Sequence, residues 1–311
     1  MRENLFKTGA ALLVLTSAAA ALAAETGFSG GPYYSTVVNG DYAVTGSSTR
    51  SSSTGQPDPF SMDVTNVPAG ASVVKAFASW SHLTNDPLDP ANAAIEINAT
   101  PVTGALVGYG DPDLCWGLSY GASYVADVTS IVTGNGTYRI GGATDDFSTG
   151  ALGEGITLLL IYDDGSAAKV VDVFAGYTGN TSNPSGPAVG AWTFSSAYAG
   201  GSAHFFVNGL DGQFADDDFL INSMDASALS GGTPTDAWQG LIGPGGAGSN
   251  YYDHAEGDIA SYLSAGDTGL ELISGTPDFD CVGHSFGALS YVPEPASLVI
   301  LALGALALRR R

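Results

Sequence analysis

Near the C-terminus, Gly283-His284-Ser285-Phe286-Gly287 fits G-x-S-x-G, the pattern in which a serine hydroxyl attacks an acyl carbon. That chemistry needs a strand before the serine, a helix after it, and an acid and a histidine further along the chain. No Asp and no His follows Ser285, and Phe286-Gly287-Ala288-Leu289-Ser290-Tyr291 reads as a strand. Ser285 is therefore expected to be a strand residue. A triad in another order would have to draw its base from His204 or His254.

The second candidate is a run of hard oxygen donors. Asp211, Asp216, Asp217 and Asp218 fall within eight positions, and calcium takes six to eight oxygens from such loops. The EF-hand spacing and its closing Glu are missing, so a solvated acidic turn competes with a Ca2+ site. Paired carboxylates also serve glycoside hydrolysis, but no signature singles out a pair among so many acids. His82, His204, His254 and His284 stand singly, with no close ligand spacing. Trp192, Trp238, Tyr251 and Tyr252 would stack on sugars if exposed and pack a core if buried.

Charge narrows the partners. The 311 residues carry 31 acids against 9 bases, a formal net charge of −22. Between residues 25 and 291 the bases are Arg50, Lys75, Arg139 and Lys169 alone. So acidic a body excludes nucleic acid, which is held by Lys and Arg, and makes anionic membrane surfaces poor partners. Both cysteines, Cys115 and Cys281, lie in a chain that begins as an exported protein does. Met1 to Lys7 holds two positive charges, an apolar run follows, and Ala21-Leu22-Ala23 is a small-x-small cleavage site. Residues 1–24 read as a secretory signal peptide. In an oxidising compartment the two cysteines are expected to pair, closing a loop of about 165 residues.

These residues must be positioned by strands. Asp outnumbers Glu and there are 43 glycines, a composition of turns rather than helices. "AAIEINATPV" alternates apolar and polar residues as a half-buried strand does, and "GITLLLIYDDGS" is an apolar run closed by a turn. Gly134-Asn135-Gly136 marks a tight connection. Three segments have counterparts about 124–131 residues later. "VVKAFASW" matches "SAHFFVNG", "AAIEINATPV" matches "DFLINSMDAS", and "DVTSIVTGNGTYRIGG" matches "DIASYLSAGDTGLELISG". The expected fold is all-β, sandwich or jelly-roll-like, in two related modules over 57–165 and 166–291, with one larger interleaved sandwich as the alternative. Residues 25–56 form a Gly/Ser/Thr-rich lead-in with one strand near 33–38.

"VPAGASVVKAFASW", "YVADVTSIVTGNGTYRI" and "GITLLLIYDDGS" resemble, in that order, blocks of a domain-of-unknown-function β family of archaeal and bacterial surface proteins. The resemblance implies a β fold and a surface location, not an activity. The last twenty residues, 292–311, carry a sharper signal. Pro293-Glu294-Pro295 precedes 13 apolar or small residues, and Arg309-Arg310-Arg311 ends the chain. This closely resembles the PEP-CTERM sorting signal of Gram-negative bacteria. The resemblance implies an exosortase as partner and cleavage near the motif. As a helix the apolar run spans about 20 Å, short of a comfortable bilayer crossing. The arginines would stay cytoplasmic. The expectation is a transiently membrane-anchored, then exported, non-enzymatic surface or matrix protein, associated with biofilm or exopolysaccharide. A carbohydrate-binding module or polysaccharide-active enzyme is the alternative. A plain C-terminal anchor is the alternative for the tail. No cofactor is expected apart from the Ca2+ already weighed.

Overall fold

The computed structural model describes residues 27–50, 58–110, 117–142, 151–179, 187–212, 218–243, 250–275 and 282–294. The expected signal peptide 1–24, Cys115, Cys281, Asp216, Asp217, Pro295, the apolar run 296–308 and Arg309–Arg311 lie outside them. Among the described residues no helix is long and apolar enough to cross a membrane.

The lead-in supplies two strands, β1 (Tyr34–Val38) and β2 (Gly40–Ser48). Then follow β3 (Phe60–Val64), β4 (Ser72–Thr84), β5 (Ala94–Ile97), β6 (Thr100–Thr103), β7 (Ala105–Gly110), β8 (Tyr120–Asp127), β9 (Gly136–Gly141) and β10 (Ala151–Asp163). The second half holds β11 (Lys169–Gly179), β12 (Ala188–Thr193), β13 (Tyr198–Leu210), β14 (Phe219–Ile221) and β15 (Met224–Asp225). It closes with β16 (Tyr252–Asp258), β17 (Gly269–Ser274) and β18 (Gly283–Pro293). The lead-in, expected to hold one strand near 33–38, thus holds a second, running to Ser48. Residues 253–263 are the end of β16 and a single 3-10 turn, Ala260–Tyr262.

The strands pair antiparallel in four sheets, ordered β3-β9-β5-β6, β2-β10-β4-β8-β7, β1-β11-β18-β13-β16 and β12-β17-β14-β15. Set β1 and β7 aside, and each half is the same eight-stranded jelly roll. Its first, eighth, third and sixth strands make one sheet, and its second, seventh, fourth and fifth make the other. The matching sequence segments fall on matching strands: β4 with β13, β5–β6 with β14–β15, and the β8–β9 region with β16–β17. Hydrogen bonds repeat as well. Asn98 (φ 52°) bonds Arg139 through its backbone N–H at 2.8 Å and its Oδ1 at 2.9 Å. Asn222 (φ 51°) bonds Glu271 in the same two ways at 3.0 and 2.9 Å. Asn tolerates this left-handed backbone better than most residues. The Ala76 carbonyl accepts from Val128 at 2.9 Å as that of Ala203 does from Ile259 at 2.8 Å. The fold is all-β, two jelly rolls in tandem.

Alternation along each strand sends side chains into two cores. Trp80, Ile97, Tyr124, Ile140, Leu158 and Leu160 fill the first roll. Trp192, Phe205, Trp238, Leu272 and Leu289 are among those filling the second. A third core lies where the two five-stranded sheets meet, built from Val44, Phe77, Leu159 and Ile161 on one side and Val173, Phe206, Phe286 and Ala288 on the other. This explains the unbroken apolar run in β10, which is buried on both faces.

Toward the loop-bearing end of this seam, contact becomes backbone to ring. The Tyr252 ring lies so close over Gly155 that an alanine Cβ there would sit 1.9 Å from it. Gly155→Ala is expected to cost about 3 kcal/mol, the upper part of the usual overpacking range, because sheet backbone cannot step aside. Gly31→Ala, where nothing lies within 4 Å, should leave the urea midpoint unchanged. Equal midpoints for both variants would show that the seam is looser than its geometry.

Candidate functional site

Ser285 lies within β18 and is fully buried. Its hydroxyl shares a 2.8 Å hydrogen bond with Ser81 Oγ across the seam and accepts one of 2.9 Å from Asn208 Nδ2. The β13–β18 ladder is interrupted between Val207 and Leu210, and Asn208 fills the gap. Its Oδ1 accepts from the backbone N–H groups of Ser285 and Phe286 at 2.9 and 3.0 Å. His284 points the other way, as strand alternation requires, with Nδ1 2.6 Å from the Asn208 carbonyl and Nε2 2.7 Å from Ser274 Oγ. Burial lowers its pKa to about 4. The G-x-S-x-G residues thus stitch two sheets together, and the strand–turn–helix of a nucleophile elbow is not formed at Ser285.

The other histidines are enclosed or bridged in different ways. His254 packs edge-on against Phe206, ring centres 4.7 Å apart, and burial lowers its pKa to about 3. His82 is buried beside Tyr124, and its pKa falls to about 4 for the same reason. His204 bridges the modules. Its Nδ1 is 3.3 Å from Asp41 Oδ1, its Nε2 is 3.2 Å from Glu256 Oε1, and its ring lies flat on Tyr42 at 4.4 Å. Burial pulls this imidazole's pKa down, but the bonds to Asp41 and Glu256 outweigh it and carry the pKa to about 9. Asp41 also pairs with Lys169. Burial works to raise its pKa, and the bonds to His204 and Lys169 overcome it, leaving about 2.

The proposed calcium run divides. Asp211 is buried and its Oδ1 lies 3.1 Å from Arg50 Nη2. The same Nη2 is 2.5 Å from Glu154 Oε1, and the guanidinium lies 3.8 Å from the centre of the Tyr251 ring. Asp211 is therefore committed to a buried cation. Asp218 is half-buried at the start of β14, and burial, with the Asp225 charge behind it, raises its pKa. Among the described residues no group of three His, Cys, Asp or Glu is placed to hold a metal ion. The candidate sugar-stacking rings, Trp192, Trp238, Tyr251 and Tyr252, are all buried. They are core and seam residues rather than a platform.

Sequence reasoning missed the Arg50–Glu154–Asp211 knot, whose members are 104 and 161 positions apart. A signal was present. In a body with so few bases, each cation is expected to find a carboxylate, and Lys75 with Asp127 and Lys169 with Asp41 follow the same rule.

Pro293 and Glu294, expected to open a sorting motif, lie at the end of the described body. Pro293 is the last residue of β18 and pairs with Tyr198. The exposed Glu294 donates its N–H to the Ala197 carbonyl at 3.1 Å.

No family model matches this chain, and no curated protein matches it. Likeness to solved structures is slight. The major capsid protein P2 from bacteriophage PM2 is 9% identical, with 81% of this chain and 99% of that one covered at a TM-score of 0.24. The structure of the Sputnik virophage is 8% identical, with 82% and 86% covered at a TM-score of 0.18. Overlaps this slight carry no weight, and the strand order above stands without them.

Proposed function

We propose that this chain is an exported surface or matrix protein of a Gram-negative envelope, without catalytic activity, whose C-terminal segment is a sorting signal cut by an exosortase. One observation supports it best: both jelly rolls are complete by Glu294, the middle residue of Pro-Glu-Pro. Cutting beyond the motif would remove none of the described strands. A body whose described strands all precede the motif is what a removable C-terminal signal requires. Pro293 and Glu294 also leave the sheet at its surface, where an enzyme in the membrane can reach the exit. Ser285, Asn208 and the Arg50 knot are committed to bonds between the strands, which favours a structural body over a reaction centre.

In the matrix, exopolysaccharide is the proposed neighbour. Calcium would act there as a diffuse counter-ion to an acidic surface rather than at Asp211, whose charge Arg50 already meets. Cys115 and Cys281 are proposed to be paired, since the strands flanking both, β7–β8 and the start of β18, end at the same end of the molecule. Intact-mass spectrometry of the exported protein tests the reading. The expected product starts after residue 23 or 24, lacks Arg309–Arg311, and is two hydrogens lighter than the dithiol. An exported form that keeps Arg311 overturns the sorting proposal, and polysaccharide turnover by that form overturns the structural one.

A further inference from the structure

Four sheets leave eight edge strands, and exposed edges invite another chain to pair unless something blunts them. Seven are blunted. β12 is bridged along its edge by Gly30, which donates to Ala191 at 2.7 Å and accepts from Thr193 at 2.7 Å. The 3-10 turn Ser227–Ser230 packs on β16. β15 is two residues long, and β6 contains Pro101. β7 is broken by a bulge between Leu106 and Gly108. β2 and β3 carry Asp41 and Asp63.

β1 has none of these devices. It pairs with β11 in unbroken register from Tyr34 to Val38, and among the described residues its other edge pairs with no strand. Its sequence is Tyr-Ser-Thr-Val-Val, β-branched and aromatic, with Val37 55% exposed and Tyr33 beside it 44% exposed. Residues 26–40 carry no charge at all in a chain of net −22. The nearby Lys75 and Asp127 neutralise one another at 2.5 Å.

We infer that β1 is the self-association edge of this protein, pairing antiparallel with β1 of a second copy to make one continuous ten-stranded sheet. The occupant is a second copy because such pairing is isologous. A two-fold axis at Thr36 sets Ser35 opposite Val37 and Tyr34 opposite Val38, so each strand supplies what the other needs. Charge points the same way. Two bodies this acidic repel across most of their surfaces, and β1 itself brings no carboxylate to the contact. A cationic peptide would gain nothing from an uncharged edge.

Light scattering of the exported protein over a dilution series tests this. The wild type is expected to pass from monomer to dimer. Val37→Lys sets a charge beside the axis from both copies and should weaken the dimer about a hundredfold. Val37 is exposed, so the thermal midpoint of the variant should not move, and Val37→Thr should dimerise as the wild type does. Hydrogen exchange at 34–38 should slow on dimerisation of the wild type and stay fast in Val37→Lys. A wild type that remains monomeric at every concentration overturns the inference. So does a dimer that survives Val37→Lys, or one that leaves exchange at 34–38 unchanged. The fate of the tail, read by mass, is decided separately.

Discussion

Replacing Arg50 by alanine is expected to destabilise the protein by about 3–5 kcal/mol, the cost of leaving buried charge without its partner. For a chain of this size that lowers the melting temperature by roughly 10 °C. Arg50 is 4% exposed, and Glu154 and Asp211 are as deeply enclosed. Burial opposes its positive charge, yet the two carboxylates outweigh that and raise its pKa. Take the guanidinium away and two carboxylates share a dry corner between the rolls, with the Tyr251 ring unable to compensate either. The deficit should therefore depend on pH. Stranded acids bind protons more readily in the folded state than in the unfolded one, so the gap between variant and wild type closes as pH falls toward 4. Removing two of the three, as in Arg50→Met with Glu154→Leu, should recover part of the loss, because only Asp211 is then left as an unpaired ion. Urea unfolding at pH 7 and pH 4.5 measures all of this. An alanine variant within about 1 kcal/mol of wild type at pH 7 would show that water reaches the knot.

The knot marks the boundary of what the residues disclose by themselves. The β10 run Leu158, Leu159, Leu160, Ile161 is legible as a buried strand because burial on both faces removes the need for alternation. The tandem rolls are legible because β4, β5–β6 and β9 each recur in order. The lead-in is not. Nothing local in 34–48 shows that one strand joins the second roll and the next joins the first, with a single residue, Asn39, between them. Tyr251 and Tyr252 carry no mark of burial in their own neighbourhood, since the surfaces that bury them, Arg50 and Gly155, come from the other half of the chain. Ser285 is legible for a different reason. A Gly-rich strand closing a sheet and a nucleophile elbow use the same residues, but no Asp or His follows Ser285, and its place in β18, bonded to Ser81 and Asn208, agrees.

Acid is expected to unfold the protein earlier than its low isoelectric point suggests, and the histidines are the cause. His82, His254 and His284 have folded pKa values of about 4, 3 and 4. As pH falls below their ordinary value, the unfolded chain takes up protons that the folded chain refuses. Stability is thus lost between pH 6.5 and about 4, by up to roughly 3 kcal/mol for each enclosed imidazole. His254 is sealed at Nε2 but only half-buried overall, so its share is smaller than its value implies. Asp253 works in the opposite sense. Burial raises its carboxyl to about 7, against the pull of the Leu241 and Gly240 amides, so its folded form gains protons between pH 7 and 4. One such group offsets about one histidine, leaving a net loss of roughly 5 kcal/mol over that window. Below it, Asp41 adds a further loss as pH drops from 3.8 toward 2. On the alkaline side His204 holds its proton to about 9, and what it contributes is lost as pH rises from 6.5 through that value. The stability curve should crest near neutrality and fall more steeply toward acid. His82→Phe isolates the cause. The His82 Nδ1 is buried without a hydrogen-bond partner, so an apolar ring should cost little at pH 7 and remove about 3 of the roughly 5 kcal/mol lost on the acid limb. An unchanged slope in that variant would place the acid sensitivity elsewhere than in the enclosed histidines.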